Sequence, residues 1–245
     1  MLRIGIISGK GGVGKTSCTV SLAYAFTNMK KSVGILDADL TGPNVNVAMG
    51  IEADLQIDAQ RVKYLPVEKD GIKVLSMANI LPPDGALMIR GYDSNEKSYT
   101  KSSIMKEFVQ NTDWGELDIL LCDLPPGTGD EAISMIEYLK PDGVIVITTP
   151  HSFAYADYLR VMHMLELYSI RVFKTVINMA YALLPCPHPD ICKEENRVHR
   201  YDIFKDGDFQ YENAYEIPLW PEYSQSHIIE LKELADEILE KFVVA

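Results

Sequence analysis

The chain predicts a doubly wound α/β fold: a mainly parallel sheet with helices on both faces. Three observations lead there. Short β-branched apolar runs alternate with helical patterns along most of the sequence, the pattern of a sheet covered on both sides. A glycine-rich turn follows the first apolar run and opens the first helix. Two later runs, 32–37 and 117–123, each end on an aspartate.

Taken in order, Arg3-Ile4-Gly5-Ile6-Ile7-Ser8 is an apolar run of strand length, expected over 3–8, and a helix follows at 15–28. Val33-Gly34-Ile35-Leu36 predicts a second strand over 32–37. Tyr64-Leu65-Pro66-Val67 adds a short strand, and 72–77 another. Residues 79–101 carry Pro82-Pro83 and Arg90-Gly91-Tyr92-Asp93-Ser94-Asn95, a long loop before a helix at 102–111. Strand 117–123, helix 129–139, strand 143–148, helix 152–168 and strand 171–178 continue the alternation. A short strand near 215–219 and a helix at 222–242 close it. Residues 180–214 hold two cysteines, three prolines and many charges with little periodicity. Long loops of this kind in a compact domain are functional or mobile.

Composition sets bounds. A chain of 245 residues can form one large α/β domain over 1–245, with a cysteine-containing insertion around 180–214. Hydrophobic content of 47% and charged content of 24% are ordinary for a globular protein. A net charge of −12 argues against nonspecific nucleic-acid binding and against an anionic membrane surface. No apolar stretch reaches the roughly 18 residues of a transmembrane helix. The first residues run straight into a strand without a signal peptide, so a cytoplasmic location is expected. Four cysteines are then expected to be free, catalytic or metal-binding rather than disulfide-bonded.

The glycine-rich turn carries chemistry. Gly9-Lys10-Gly11-Gly12-Val13-Gly14-Lys15-Thr16 fits the phosphate-loop pattern G-x-x-x-x-G-K-[ST]. Glycines let successive backbone N–H groups point inward at a phosphate. Lys15 would neutralise the β- and γ-phosphates, and the Thr16 hydroxyl would ligate Mg²⁺. The helix from Ser17 onward turns its positive N-terminus toward the anion. Gly9, Gly11 and Gly14 also satisfy G-x-G-x-x-G, the dinucleotide pattern, with Asp37 near the place of a ribose-binding acid. Lys15-Thr16 decides for the phosphate loop, because a dinucleotide turn needs neither a cation nor a hydroxyl there.

Asp123, ending an apolar strand, is expected to hold Mg²⁺ directly or through water. Leu124-Pro125-Pro126-Gly127-Thr128-Gly129-Asp130 follows it. Its prolines and glycines set a sharp turn, and Asp130 can cap the next helix. Asp37-Ala38-Asp39-Leu40-Thr41-Gly42-Pro43-Asn44 follows the second strand; carboxylates there suit a dication beside a γ-phosphate. Asn178, ending a strand, has an amide able both to donate and to accept, or to act as a strand-end cap. Cys186-Pro187-His188-Pro189-Asp190-Ile191-Cys192 offers two soft thiolates suited to an iron–sulfur cluster or zinc. His188 and His199 supply a zinc alternative, and two unmetallated cysteines are the plain reading. Cys18 and Cys122 read as small core residues.

The run Lys10-Gly11-Gly12-Val13-Gly14-Lys15-Thr16 resembles the deviant phosphate loop of the ParA/MinD/Mrp ATPases. The stretch from Trp114 to Asp118, with Asp123-Leu124-Pro125-Pro126-Gly127-Thr128-Gly129-Asp130, is similar to the Mrp/ApbC branch of iron–sulfur-cluster carriers. The resemblance covers most of 1–180. It implies a P-loop NTPase fold and slow ATP hydrolysis with ATP and Mg²⁺ bound. Lys10 would reach across a two-fold axis to a partner's nucleotide in a homodimer. Asp39 would position or activate the attacking water, and Asp37 would support the Mg²⁺ shell. Thr148-Thr149-Pro150 with Asp157 matches the family's strand-to-helix segment. Asn178 would read adenine, with Pro218 of Ile217-Pro218-Leu219 packing beside the base. Catalytic roles thus fall to Lys10, Lys15 and Asp39. Nucleotide contacts fall to Gly9 through Ser17 with Asn178 and Pro218, and Mg²⁺ contacts to Thr16, Asp37 and Asp123. The branch carries C-P-x-C where this chain has C-x₅-C, so Cys186 and Cys192 are placed as a cluster or zinc site shared by two copies. Iron–sulfur client or scaffold proteins would be the partners. A MinD/ParA-like positioning protein and a metalloenzyme-maturation ATPase are the alternatives. The acidic last helix, with Glu230, Glu233, Asp236, Glu237 and Glu240, differs from the basic amphipathic tail of membrane-bound relatives.

Overall fold

The computed structural model describes residues 1–39, 42–52, 56–58, 63–76, 101–183, 197–199, 210–217 and 231–242. The first strand, β1 (Leu2–Ser8), is buried along most of its length, and α1 (Lys15–Asn28) follows the glycine-rich turn. Then come β2 (Val33–Asp37), α2 (Val45–Met49), β3 (Gln56–Asp58), β4 (Lys63–Leu65), β5 (Val67–Lys69) and β6 (Ile72–Ser76). The second half holds α3 (Lys101–Asn111), β7 (Ile119–Asp123), α4 (Asp130–Leu139), β8 (Gly143–Thr148), α5 (Ser152–Leu167) and β9 (Val172–Ile177). It ends with β10 (Tyr181–Leu183), β11 (Arg197–His199), β12 (Ala214–Glu216) and α6 (Lys232–Phe242).

Eight strands form one sheet in the order β12-β9-β8-β1-β7-β2-β6-β5. All neighbours pair in parallel except β5, which returns antiparallel along β6. Side chains alternate across it. Ile4 and Ile6 of β1, Ile119 and Leu121 of β7 and Val33 and Ile35 of β2 enter one core with α1, α2 and α6. Ile7, Leu120, Cys122 and Leu36 enter the other, with α3, α4 and α5. Each large apolar side chain fully removed from water contributes roughly 1.5–3 kcal/mol, so the two cores fix the register: a one-residue slip would exchange them. Strands apolar on both faces are what a covered parallel sheet requires. β1 lies between β7 and β8, and the next chain segments depart to opposite sides of it. This is the point in a doubly wound sheet where the carboxyl ends of strands open a crevice.

Most expected elements recur with ends moved by at most two residues; the strand expected near 215–219 is β12, which ends at Glu216, and the last helix is described from Lys232. Three departures have physical reasons. Strand 64–67 is two strands, because Pro66 has no N–H for a ladder: β4 pairs with β3, and β5 with β6. Strand 117–123 begins at Ile119, since Asp118 turns its carboxylate back to accept from the Ser32 N–H at 2.8 Å. The helix α2 was not expected; a single five-residue turn shows no repeating period. Residues 77–100, including the long loop expected from 79 on, lie outside the described residues, as do 218–230 at the start of the last expected helix. Among the described residues no helix is long and apolar enough to cross a membrane.

Candidate functional site

The turn after β1 is shaped by what its glycines lack. Gly12 (φ +78°) and Gly14 (φ +86°) occupy the left-handed region that side chains avoid. A Cβ on Gly9 would stand 2.6 Å from the backbone of Asp157 on α5, and one on Gly14 would stand 2.1 Å from Asn178 Nδ2. The Ser8 hydroxyl donates to the Lys10 carbonyl at 2.9 Å, and the Gly127 N–H donates to the Ser8 carbonyl at 2.7 Å. Val13 is buried and anchors the turn from below. α1 starts without a side-chain cap, so its first N–H groups face the concavity, as at helix termini that bind anions. The open space there has a volume of about 420 Å³. Lys10, Gly11, Gly12 and Gly14 through Ser17 line one wall; Asp39, Gly42, Asn44, Val47 and Ala48 line the other, with Pro126 between.

Beneath it sit two carboxylates at the ends of adjacent strands, Asp37 and Asp123 being register partners of β2 and β7. Asp123 is buried and accepts from Lys15 Nζ at 2.7 Å, Thr16 Oγ1 at 2.7 Å and Thr19 Oγ1 at 3.4 Å. Asp37 is buried as well. It accepts from the Val45 N–H at 3.1 Å, the Ser76 hydroxyl at 2.9 Å and the Asp39 N–H at 3.3 Å. Burial, and after it the charge of Asp123, pushes the Asp37 carboxyl up to about 7. Lys15 balances Asp123, whereas the contacts made to Asp37 come from neutral groups. A hydroxyl and two carboxylates converging at a loop of inward N–H groups are the hard oxygen donors that suit Mg²⁺ beside a phosphate, so the residues present fit that ion.

Most residues marked in the sequence gather here. Lys10, Lys15, Thr16, Ser17 and Asp39 border the space, and the Asp39 carboxylate accepts from the Gly42 N–H at 3.1 Å. Asn178, buried at the end of β9, donates to the Val13 carbonyl at 2.8 Å and accepts from the Met179 N–H at 2.9 Å. One N–H and one lone pair of its amide remain for another group. Pro218, Cys186, Cys192 and His188 lie outside the described residues. Cys18 and Cys122 are buried and free. Burial chiefly, and the charge of Asp123, pushes the Cys18 thiol up to about 12 and raises Cys122 as well, so neither is a ready nucleophile. Two participants were not singled out from the sequence. Thr19 could have been found four residues after Lys15 on the same helix face. Ser76 is the register partner of Asp37 and carries no motif signal.

Comparison with known proteins agrees with this arrangement. An iron–sulfur protein required for NADH dehydrogenase, from mitochondria of Arabidopsis thaliana, is 39% identical over 196 residues, covering 80% of this chain and 58% of that protein. An iron–sulfur cluster carrier protein of Aquifex aeolicus is 35% identical over 229 residues, covering 91% of this chain and 58% of that one. The chain therefore spans somewhat under two thirds of the length of both. A nucleotide-binding protein of Archaeoglobus fulgidus, solved in complex with ADP, superposes with a TM-score of 0.68 at 30% identity over 96% of this chain and 86% of that one. The cell-division ATPase MinD of Pyrococcus furiosus shares the fold, with a TM-score of 0.63 at 20% identity over 98% and 99% of the two chains. The model of the NUBPL iron-transfer P-loop NTPase family matches residues 2–229, and the chain belongs to that family.

Proposed function

We propose that the chain binds ATP with Mg²⁺ at the loop 9–17, hydrolyses it, and uses it to carry or help assemble iron–sulfur clusters as a homodimer. The observation that carries the nucleotide reading is the convergence of Lys15 and Thr16 on Asp123 beneath a glycine turn. Lys15 would exchange its carboxylate partner for the β- and γ-phosphates. Asp123 and Thr16, with Asp37 beside them, would then hold Mg²⁺, which when bound supplies positive charge against the phosphate oxygens. The N–H groups from Gly9 to Ser17 would bind phosphate oxygens, and Asn178 and Pro218 would flank adenine. Asp39, at the pocket wall, would orient the attacking water and take up its proton. Lys10 would be completed by a second copy, adding a cation where charge develops on the transferred phosphoryl group.

The cluster reading draws on the family and on the soft thiolates of Cys186 and Cys192, two from each copy making a four-thiolate set. Cytoplasmic action is proposed with it. Calorimetric titration with Mg·ATP tests the nucleotide reading: Lys15→Ala should lose about 100-fold or more in turnover and bind ATP more weakly. Unchanged affinity and turnover would refute it. Anaerobic reconstitution with iron and sulfide tests the other half. The wild type should take up iron with visible absorption and the Cys186→Ser/Cys192→Ser variant should not; equal uptake in both removes these cysteines from the site.

A further inference from the structure

One row of polar residues crosses the carboxyl ends of three neighbouring strands. Asp123 of β7 is the register partner of Asp37 of β2, and Asp37 is the register partner of Ser76 of β6. Alternation along the strands puts all three on the face of Leu121, Ile35 and Val74, toward α1 and α2. Ser76 is fully buried. A buried hydroxyl costs free energy unless it is bonded, and this one donates to Asp37 Oδ2 at 2.9 Å. The Val45 N–H, at the start of α2, donates to the same oxygen at 3.1 Å. Asp37 Oδ1 accepts a longer bond, from the Asp39 N–H at 3.3 Å. Ser76 thus supplies a side-chain donor where the other two are backbone groups.

A carboxylate turns softly about its Cβ–Cγ bond, between two nearly equivalent settings. The donors around it decide which oxygen points where. Val45 on one oxygen and Asp39 on the other, at 3.1 and 3.3 Å, come close to balance. Ser76 puts a second donor on Oδ2 and breaks that balance. The donor on α2 cannot follow a turning carboxylate, because Val45 and Met49 are buried in the core. Asp123 is oriented differently: Lys15 and Thr19 donate to its Oδ1 and Thr16 to its Oδ2. We propose that Ser76 is a positioning residue for the divalent cation. It holds Asp37 Oδ2 between β6 and α2 and leaves Oδ1 as the oxygen offered to Mg²⁺. Ser76 acts through Asp37 and touches neither nucleotide nor ion. The outer partner of a ligating carboxylate fixes its direction, and removing such a partner weakens the metal rather than the fold alone.

The inference rests on the proposed Mg·ATP site, and one measurement separates the two. Calorimetric titration with a slowly hydrolysed ATP analogue, with and without Mg²⁺, gives the factor by which the ion strengthens binding. Ser76→Ala should lower that factor about tenfold, with a smaller loss of metal-free affinity. Ser76→Thr keeps the hydroxyl at a strand position that suits a β-branched residue, and should hold the factor within about threefold of wild type. It should do so even where the added methyl lowers the melting temperature. If Ser76→Ala has no cooperative melting transition, Ser76→Cys, with a weaker donor, takes its place and should lower the factor at least about threefold. An unchanged factor in Ser76→Ala, or in Ser76→Cys where that replaces it, overturns the positioning role and leaves the Mg·ATP site standing. So does a factor reduced equally in Ser76→Thr. A wild type that binds no analogue, or gains nothing from Mg²⁺, overturns that site and this role with it.

Discussion

Asp123 is a buried carboxylate, and a buried charge persists only where donors replace the lost water. It has a lysine and two threonine hydroxyls. Lys15 and Thr16 have work on the nucleotide in the proposed reaction, which leaves Thr19 as the donor that stays. Its hydroxyl is shared, reaching the Lys15 carbonyl at 3.0 Å as well as Asp123 at 3.4 Å, and it is fully buried. Thr19→Val keeps the volume and removes the donor. The loss should cost about 1–3 kcal/mol in urea unfolding and weaken Mg²⁺-dependent ATP binding more than ATP binding without Mg²⁺. Equal loss in the two binding experiments would reduce Thr19 to a stability role. The sequence disclosed the phosphate loop because its residues are consecutive, so spacing alone names them. Asp123 was legible because an apolar run ended on it. Thr19 and Ser76 were not, since each acquires its partner only when α1 or β6 packs beside another strand.

At the scale of elements, the alternation of runs made β1, α1, β2, β7, α4, β8, α5 and β9 readable, each having enough length to show a period. α2 escaped because five residues are too few to show a period, although Val45 and Met49 enter the core and the Val45 N–H reaches Asp37, and the division of 64–67 followed from which neighbours β4 and β5 met. The last helix was legible as an acidic helical stretch, and its docking depends on those charges. Lys174 of β9, largely buried, donates to Glu237 of α6 at 2.8 and 3.1 Å, and Lys241 pairs with the same carboxylate. These bonds, that of Lys174 foremost, hold the Glu237 carboxyl below its ordinary value of 4.5. A carboxyl lowered on folding stabilises the native state above its unfolded value. That stabilisation fades as pH falls below 4.5 and through the folded value. Glu237→Gln should therefore cost up to about 1 kcal/mol near neutral pH, the carboxylate being partly exposed. The difference from wild type should shrink at about pH 3.5. Urea midpoints at the two pH values check it, and a difference independent of pH would assign the effect to packing.

At the scale of the whole molecule, Lys10 and Val47 both line the pocket, and Val47 is 80% exposed. An exposed valine at the mouth of a polar pocket and a lysine in its wall both gain from a second copy: the valine by leaving water, the lysine by meeting phosphate charge. In the proposed homodimer these gains exist only when nucleotide is present, because without it the net charge of −12 on each chain opposes association. Dimerisation and ATP binding are then linked, each strengthening the other by the same factor. Sedimentation of Asp39→Ala, expected to hydrolyse slowly, should show a monomer without ATP and a dimer with Mg·ATP. Adding Lys10→Ala should preserve nucleotide binding and return the protein to monomer. Raising salt should favour the dimer further with ATP present, since repulsion between the two net-negative chains acts across distances beyond about 10 Å, where 0.1 M salt screens it, while the close Lys10–phosphate contact is screened less. A species of the same size with and without nucleotide, at low and at high salt, would overturn the linkage and leave the site as that of a single chain.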